Sequence, residues 1–406
     1  MRRYSIISIA ALLLTACSSS YELDHALVPQ PHDWLQYGGD AGRSNFVREP
    51  SEARRAAYFP APTDSAEIIW EYSLDGPAGE AAPLLLQETV LFFSKTGWGE
   101  AVDLASGDKV GAFPCQWYIH ATPAIAAGCL FVATNGNSPL LLCFDLKDRI
   151  IRYRTGIPSV QASLCAVGQR VILAARNGEV RSYAERDTVP LWRTALHDLI
   201  TAAPAANDSV VVVAGQNGDL NGLSVSDGRK LWRISTGSAF VAGPTVNGQF
   251  AVAANLAGVI TMIDASSGEI RWQVELGEPV YQGIAWKDNA LAIPLSGGDL
   301  VILHPEDGKE LARISTGELP GAAPIFYANH ILLLQRRGVL VGIDPVSGSV
   351  TEIARMDSRS ETAPLVTPAG IVLVDEEGEA VMVGWEKGNE GNEGNVGNGG
   401  RMGMKK

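Results

Sequence analysis

Apolar residues along this chain come in short runs, three to seven residues long, separated by glycine, asparagine and aspartate. Residues 241–276 show the pattern: an apolar stretch around Pro244, a turn at Asn247-Gly248, a run over 249–255 and a turn at Gly258. A second run over 259–263, a turn over 264–268 and a closing run over 269–274 complete it. Short β-prone runs between such turn residues predict a four-stranded antiparallel meander. No segment sustains an apolar stripe of 3.6-residue period, so helix is expected to be minor.

This unit repeats. A proline or its substitute marks one position: Pro83, Pro123, Ser163, Pro204, Pro244, Ile284, Pro324 and Pro364, at intervals of 40 or 41 residues. A turn glycine marks a second, at Gly178, Gly218, Gly258, Gly298, Gly338 and Gly378, and a third series holds Gly107, Gly228, Gly268, Gly308, Gly348 and Gly388. Three series with one spacing indicate eight repeats of one supersecondary unit. Eight such units predict an all-β, eight-bladed β-propeller of four-stranded antiparallel blades, in which radial closure leaves few exposed strand edges.

Trp192, Trp232 and Trp272 recur 40 residues apart on the closing strand, where packing between neighbouring blades is expected. The eighth repeat reaches Gly388 without a closing strand, while residues 68–73, around Trp70, form a strand that precedes the first repeat. The economical expectation is that this N-terminal strand, carrying Trp70, closes the ring by completing the last blade.

The first residues differ in kind. A basic start, Met1-Arg-Arg-Tyr4, is followed by an uncharged apolar run over 5–14 and then by Leu14-Thr15-Ala16-Cys17. The run is too short to span a bilayer but fits the core of an export signal. The final four residues resemble the lipobox of bacterial lipoproteins. That resemblance implies a signal peptide over 1–16, lipidation of Cys17 and, from Ser18, sorting to the outer membrane, with the protein anchored on the periplasmic face. Residues 17–33 are expected as a tether, 34–388 as the propeller, and the Gly/Asn/Glu-rich stretch 389–406 as a disordered tail. The turn-rich segment 34–46 is expected to pack against the base of the ring.

The formal charge is -13. Because residues 1–16 hold two arginines and no acid, the remainder carries 30 basic against 45 acidic residues. So acidic a chain argues against nucleic acid as a partner, since binding phosphates needs a basic surface.

The run Ile263-Asp-Ala-Ser-Ser-Gly-Glu-Ile-Arg-Trp272 and the early Trp34…Gly38-Gly-Asp40 resemble the repeats of PQQ-type (quinoprotein-like) propellers. With the lipobox and eight blades, the chain is similar to the BamB-like outer-membrane lipoproteins of that superfamily. The resemblance implies a non-catalytic scaffold that assists assembly and insertion of β-barrel proteins, with the barrel protein BamA as partner. In that family a mid-ring loop with leucine and arginine, and a loop with paired aspartates, serve docking. The nearest counterparts here are Gly156-Ile-Pro-Ser-Val160, which lacks arginine, and Asp198, which stands alone.

Two other functions were weighed: a periplasm-facing propeller that binds a small ligand or cell-wall component, and a PQQ-dependent oxidoreductase. Such enzymes hold a quinone over Ca²⁺ and often stack it on a disulfide of adjacent cysteines. This chain has no Cys-Cys pair and no Cys-x-x-Cys-His, and its six histidines are scattered without metal-ligand spacing. No catalytic, cofactor-binding or metal-binding residues are therefore expected. Cys129 and Cys143 flank Gly136 symmetrically, so a hairpin centred there would oppose them and allow a disulfide in an oxidising compartment. Buried free thiols, shared with Cys115 and Cys165, are the alternative.

Overall fold

The computed structural model describes residues 21–30, 33–45, 66–367 and 369–384. The expected export segment 1–16, the expected lipidation residue Cys17 and the expected tail 389–406 lie outside the described residues. Eight antiparallel sheets follow one another around a ring. Seven are continuous in sequence, over residues 84–114, 124–156, 165–195, 205–235, 245–275, 285–315 and 325–355. The eighth consists of Leu365–Thr367, Gly370–Val374 and Glu379–Gly384, with Glu67–Ser73 as its outermost strand. Glu67–Ser73 runs antiparallel to Glu379–Gly384, with Trp70 opposite Met382. The N-terminal strand thus closes the ring. Among the described residues there is no helix, so none is long and apolar enough to cross a membrane.

Burial follows each strand's place in its blade. The second strands are buried at every position, as in Val210–Ala214 and Cys129–Ala133, or at all but the first, as in Phe250–Ala254, because neighbouring blades cover both faces. The fourth strands, such as Ile270–Glu275, alternate exposed and half-buried residues. Each fully buried valine or leucine contributes about 1.5–3 kcal/mol, so the two-sided second strands supply much of the driving force.

Neighbouring blades are joined by a recurring polar contact. Trp192 Nε1–H donates to the Val225 carbonyl (2.9 Å), Trp232 to Ala265 (2.8 Å) and Trp272 to Pro305 (2.8 Å). Each indole therefore reaches the third-to-fourth-strand turn of the following blade. Buried indole N–H groups need such partners, and here the need is met across the blade boundary.

Residues 21–30 are not a loose tether. Glu22–Leu23 adds a fifth strand to the first blade, opposite Ala112 and Gly111. Tyr21, Leu23 and Leu27 are buried, and the Tyr21 hydroxyl donates to the Asp145 carbonyl (2.6 Å).

The hairpin carrying two of the cysteines requires a correction. Cys129 pairs with Asp145 and Cys143 with Phe131, so the hairpin is centred on Asn137, one residue beyond Gly136. The loop before Leu140 includes Pro139, and the ladder resumes only at Leu140, which shifts the register. The two cysteines are diagonal neighbours, not opposed, and both are buried free thiols, as are Cys115 and Cys165.

Candidate docking face and central channel

The two faces of the ring are built from different connections. On one lie the first-to-second and third-to-fourth turns. On the other lie the second-to-third turns and the links between blades, tied together by repeated backbone bonds. Asn135 N–H donates to Tyr118 (2.9 Å), Gln216 to Leu199 (3.0 Å), Leu256 to Ala239 (2.9 Å) and Arg336 to Leu319 (2.8 Å).

Residues 34–45 close the channel at the first face. They do not simply pack beneath the ring; they run around the inner strands blade by blade. Trp34 exchanges backbone bonds with Leu85, and Leu35 accepts from Ile125. The Gln36 side chain both donates to and accepts from Ala166 (3.1 and 2.7 Å). The carbonyls of Ala41, Gly42, Ser44 and Asn45 then accept from Ala206, Val246, Trp286 and Phe326 in turn (2.7–3.0 Å). Seven consecutive blades each spend one inner-strand N–H on this segment. Gly42 is required for the approach, because a Cβ there would run into the Val246 carbonyl.

The second face stays open. Its channel mouth leads into a cavity of about 220 Å³, lined by Glu80, His120, Gln161, Thr201 and Tyr281 and reaching Arg43 of the closing segment. Both acids of the mouth have partners: Glu80 lies 3.7 Å from His120 Nδ1, and Glu361 lies 2.7 Å from Arg336. On this face Trp117, Tyr118, Leu199, Tyr281 and Leu319 are exposed in the links between blades and Trp98 at the start of a third strand, with Tyr118 at 46% and Tyr281 at 54%; of these Tyr281 lines the cavity. These aromatic positions were not singled out in the sequence. All but Trp98, which opens the strand Trp98–Asp103, sit in inter-blade links outside the repeating core, so no periodic signal marks them.

The family's docking counterparts lie elsewhere in burial. Ile157 and Val160 are buried, and so is Asp198, whose Oδ1 accepts from Asn217 N–H (3.0 Å). Gly156 and Ser159 of the first loop and Leu199 beside Asp198 are exposed.

The cysteines show thiol chemistry suppressed by burial. Desolvation pushes Cys115 and Cys165 each up to about 12. Cys129 and Cys143 hydrogen-bond one another, which lowers the former and raises the latter. Among the described residues no three His, Cys, Asp or Glu side chains converge as metal ligands.

Eight four-stranded blades, a 40-residue repeat and an N-terminal closing strand define a propeller of PQQ-like repeats. A family model described as outer membrane protein assembly factor BamB matches residues 100–241 and 176–326, more than half of the chain. The chain belongs to that family. No curated protein matches it significantly.

Among solved structures, BamB from Moraxella catarrhalis is similar at a TM-score of 0.67 and 16% identity, over 78% of this chain and 99% of that one. A quinohemoprotein alcohol dehydrogenase from Pseudomonas putida is similar at 0.69 and 11%, over 86% of this chain and 77% of that one. A europium-containing methanol dehydrogenase is similar at 0.67 and 10%, over 85% and 88% respectively. At these identities the likenesses speak to the fold alone.

Proposed function

We propose that this protein is a lipid-anchored, non-catalytic scaffold that docks on β-barrel assembly proteins and assists insertion of barrels into the outer membrane. The observation that carries this reading is the face bearing the channel mouth, on which Trp98, Trp117, Tyr118, Leu199, Tyr281 and Leu319 are exposed. Exposed apolar clusters with polar surroundings mark protein contact sites, and aromatic side chains are the residues that most often dominate such contacts. The blades are nearly uniform in length, so among the described residues no insertion builds a lid over the channel, whereas a rigid rim suits docking.

The anchor contributes separately. Lipidation at Cys17 would hold the ring at the membrane, and several acyl chains at about 0.8 kcal/mol per buried methylene suffice for durable attachment. Confinement raises the effective concentration toward membrane partners such as a BamA-like barrel protein.

Crosslinking and co-purification of the full-length lipidated protein test the reading. Wild type should recover barrel assembly proteins. Trp117→Asp and Tyr118→Asp, with unchanged melting, should recover at least tenfold less. Cys17→Ala should release the protein from membranes and reduce recovery only in part. A null strain with normal barrel levels, or co-purification only with cell-wall components, would replace the scaffold with a ligand-binding propeller.

A further inference from the structure

The segment that closes the channel leaves a positive charge at its floor with no counter-charge. Arg43 is only 5% exposed. Its Nη1 donates to the Ala203 carbonyl (2.6 Å), and its guanidinium lies 4.6 Å from the centre of the Tyr37 ring. Its Nε is buried without a hydrogen-bond partner. Gly243 makes the space it occupies, because a Cβ there would overlap Nη1, while one on Gly283 would make only ordinary contact with Nη2 at 3.8 Å.

Arginine does not shed its proton in a protein. A buried charge costs several kcal/mol unless it is paired, and a carbonyl and a ring face compensate it only in part. The neighbouring acids are engaged elsewhere. Asp40 accepts from the backbone N–H and hydroxyl of Ser44 (3.0 and 2.7 Å). Glu80 faces His120 and Glu361 faces Arg336. Among the described residues no carboxylate reaches Arg43 within ion-pair distance.

The cavity above the guanidinium has the size and lining of a small-solute site. At about 30 Å³ per water, its 220 Å³ hold roughly seven waters. Gln161, Ser163 and Thr201 offer hydrogen-bonding groups along its wall. We propose that the closed end of the channel binds a small hydroxylated solute bearing a single carboxylate, seated on Arg43. The guanidinium fork matches a carboxylate. Glu361 is neutralised by Arg336, but Glu80 faces only His120, which is charged only when protonated, and it disfavours a second negative charge on the ligand, which argues for a monocarboxylate over phosphate. The polar wall takes up the hydroxyl.

Calorimetric titration of the purified full-length protein at fixed ionic strength tests this, with lactate and inorganic phosphate as probes. Lactate should bind one saturable site, and phosphate at least tenfold more weakly. Arg43→Gln should abolish the lactate signal. Because that substitution also alters the closing segment, Thr201→Trp provides a second arm: it fills the cavity from the ring and leaves residues 34–45 untouched. It too should abolish binding while retaining the wild-type Tm. Absence of saturable lactate binding, its survival in Arg43→Gln or in folded Thr201→Trp, or tighter binding of phosphate would each overturn the assignment.

Discussion

Trp70 donates its indole N–H to the carbonyl of Leu104 at 2.9 Å, and this bond ties the closing strand of the eighth blade to the first blade. Trp70 lies on the strand lent to the eighth blade, and Leu104 in the third-to-fourth turn of the first. The indole lies against Gly107, where a Cβ would come within 2.8 Å of the Trp70 Cγ and where φ is +76°. Trp192, Trp232 and Trp272 make the same bond between blades that are consecutive in the chain. Residues 74–83 link this strand to the first blade as the other inter-blade links do, so closure of the ring itself rests on the ladder between Glu67–Ser73 and Glu379–Gly384.

Trp70→Ala should therefore destabilise the protein by about 3–5 kcal/mol, the cost of deleting a buried aromatic side chain. Gly107→Ala should destabilise it as well, because it adds left-handed backbone strain of about 1 kcal/mol to a steric collision with the indole. Urea unfolding followed by tryptophan fluorescence and circular dichroism would measure both. A midpoint unchanged in Trp70→Ala would show that the seam is held by the strand ladder alone.

The blades were legible because every repeat solves one burial problem with one spacing, so Pro83 to Pro364 and Gly178 to Gly378 report the same geometry eight and six times over. Trp70 was legible for the same reason, as a closing-strand residue displaced to the wrong end of the chain. The path of residues 34–45 was not. It pairs with the ring through single groups, mostly backbone carbonyls, which leave no side-chain pattern to read. Arg43 was likewise invisible, since only the folded ring brings Ala203, Gly243 and Gly283 around it. The offset of Cys129 and Cys143 turned on one residue of loop before Leu140, below what symmetric counting resolves.

Gln36 gives a direct test of the closing segment. Its side-chain amide satisfies both the N–H and the carbonyl of buried Ala166. Gln36→Ala leaves both without a partner, at about 1–3 kcal/mol for each unsatisfied buried group. Native-state hydrogen exchange should then accelerate at the Ala166 amide more than at Val212 on the second strand of the next blade. Equal acceleration at both would point to general loosening and not to a local loss.

The diagonal placement of Cys129 and Cys143 predicts that they remain thiols. Diagonal cross-strand neighbours are separated by about 7–8 Å, beyond the Cα range of about 4.4–6.8 Å that a disulfide accepts. Denatured, unreduced protein should yield four reactive thiols from residues 115, 129, 143 and 165, with Cys17 blocked or replaced. A mass two units lower, with only two of the four reactive, would mean that the strands shift to form the bridge.

Alkaline pH should destabilise the protein through Cys115 and Cys165. Burial raises each thiol from its ordinary 9.0 to about 12, so between these values the unfolded chain has lost protons that the folded chain retains. The unfolded state then binds fewer protons, and stability falls as pH rises. The contribution is fully present below about pH 9 and is lost progressively toward pH 12. Each thiol adds a slope approaching about 1.4 kcal/mol per pH unit once it is ionised in the unfolded state. Tyr21, Tyr72 and Tyr153 are also raised by burial and slope the same way, but they are common to wild type and variant and cancel in a comparison. Urea midpoints measured from pH 8 to 10.5 should fall more steeply for wild type than for Cys115→Ala/Cys165→Ala. Parallel slopes would show that both thiols ionise in the folded protein, and that water reaches the inter-blade space in which they are buried.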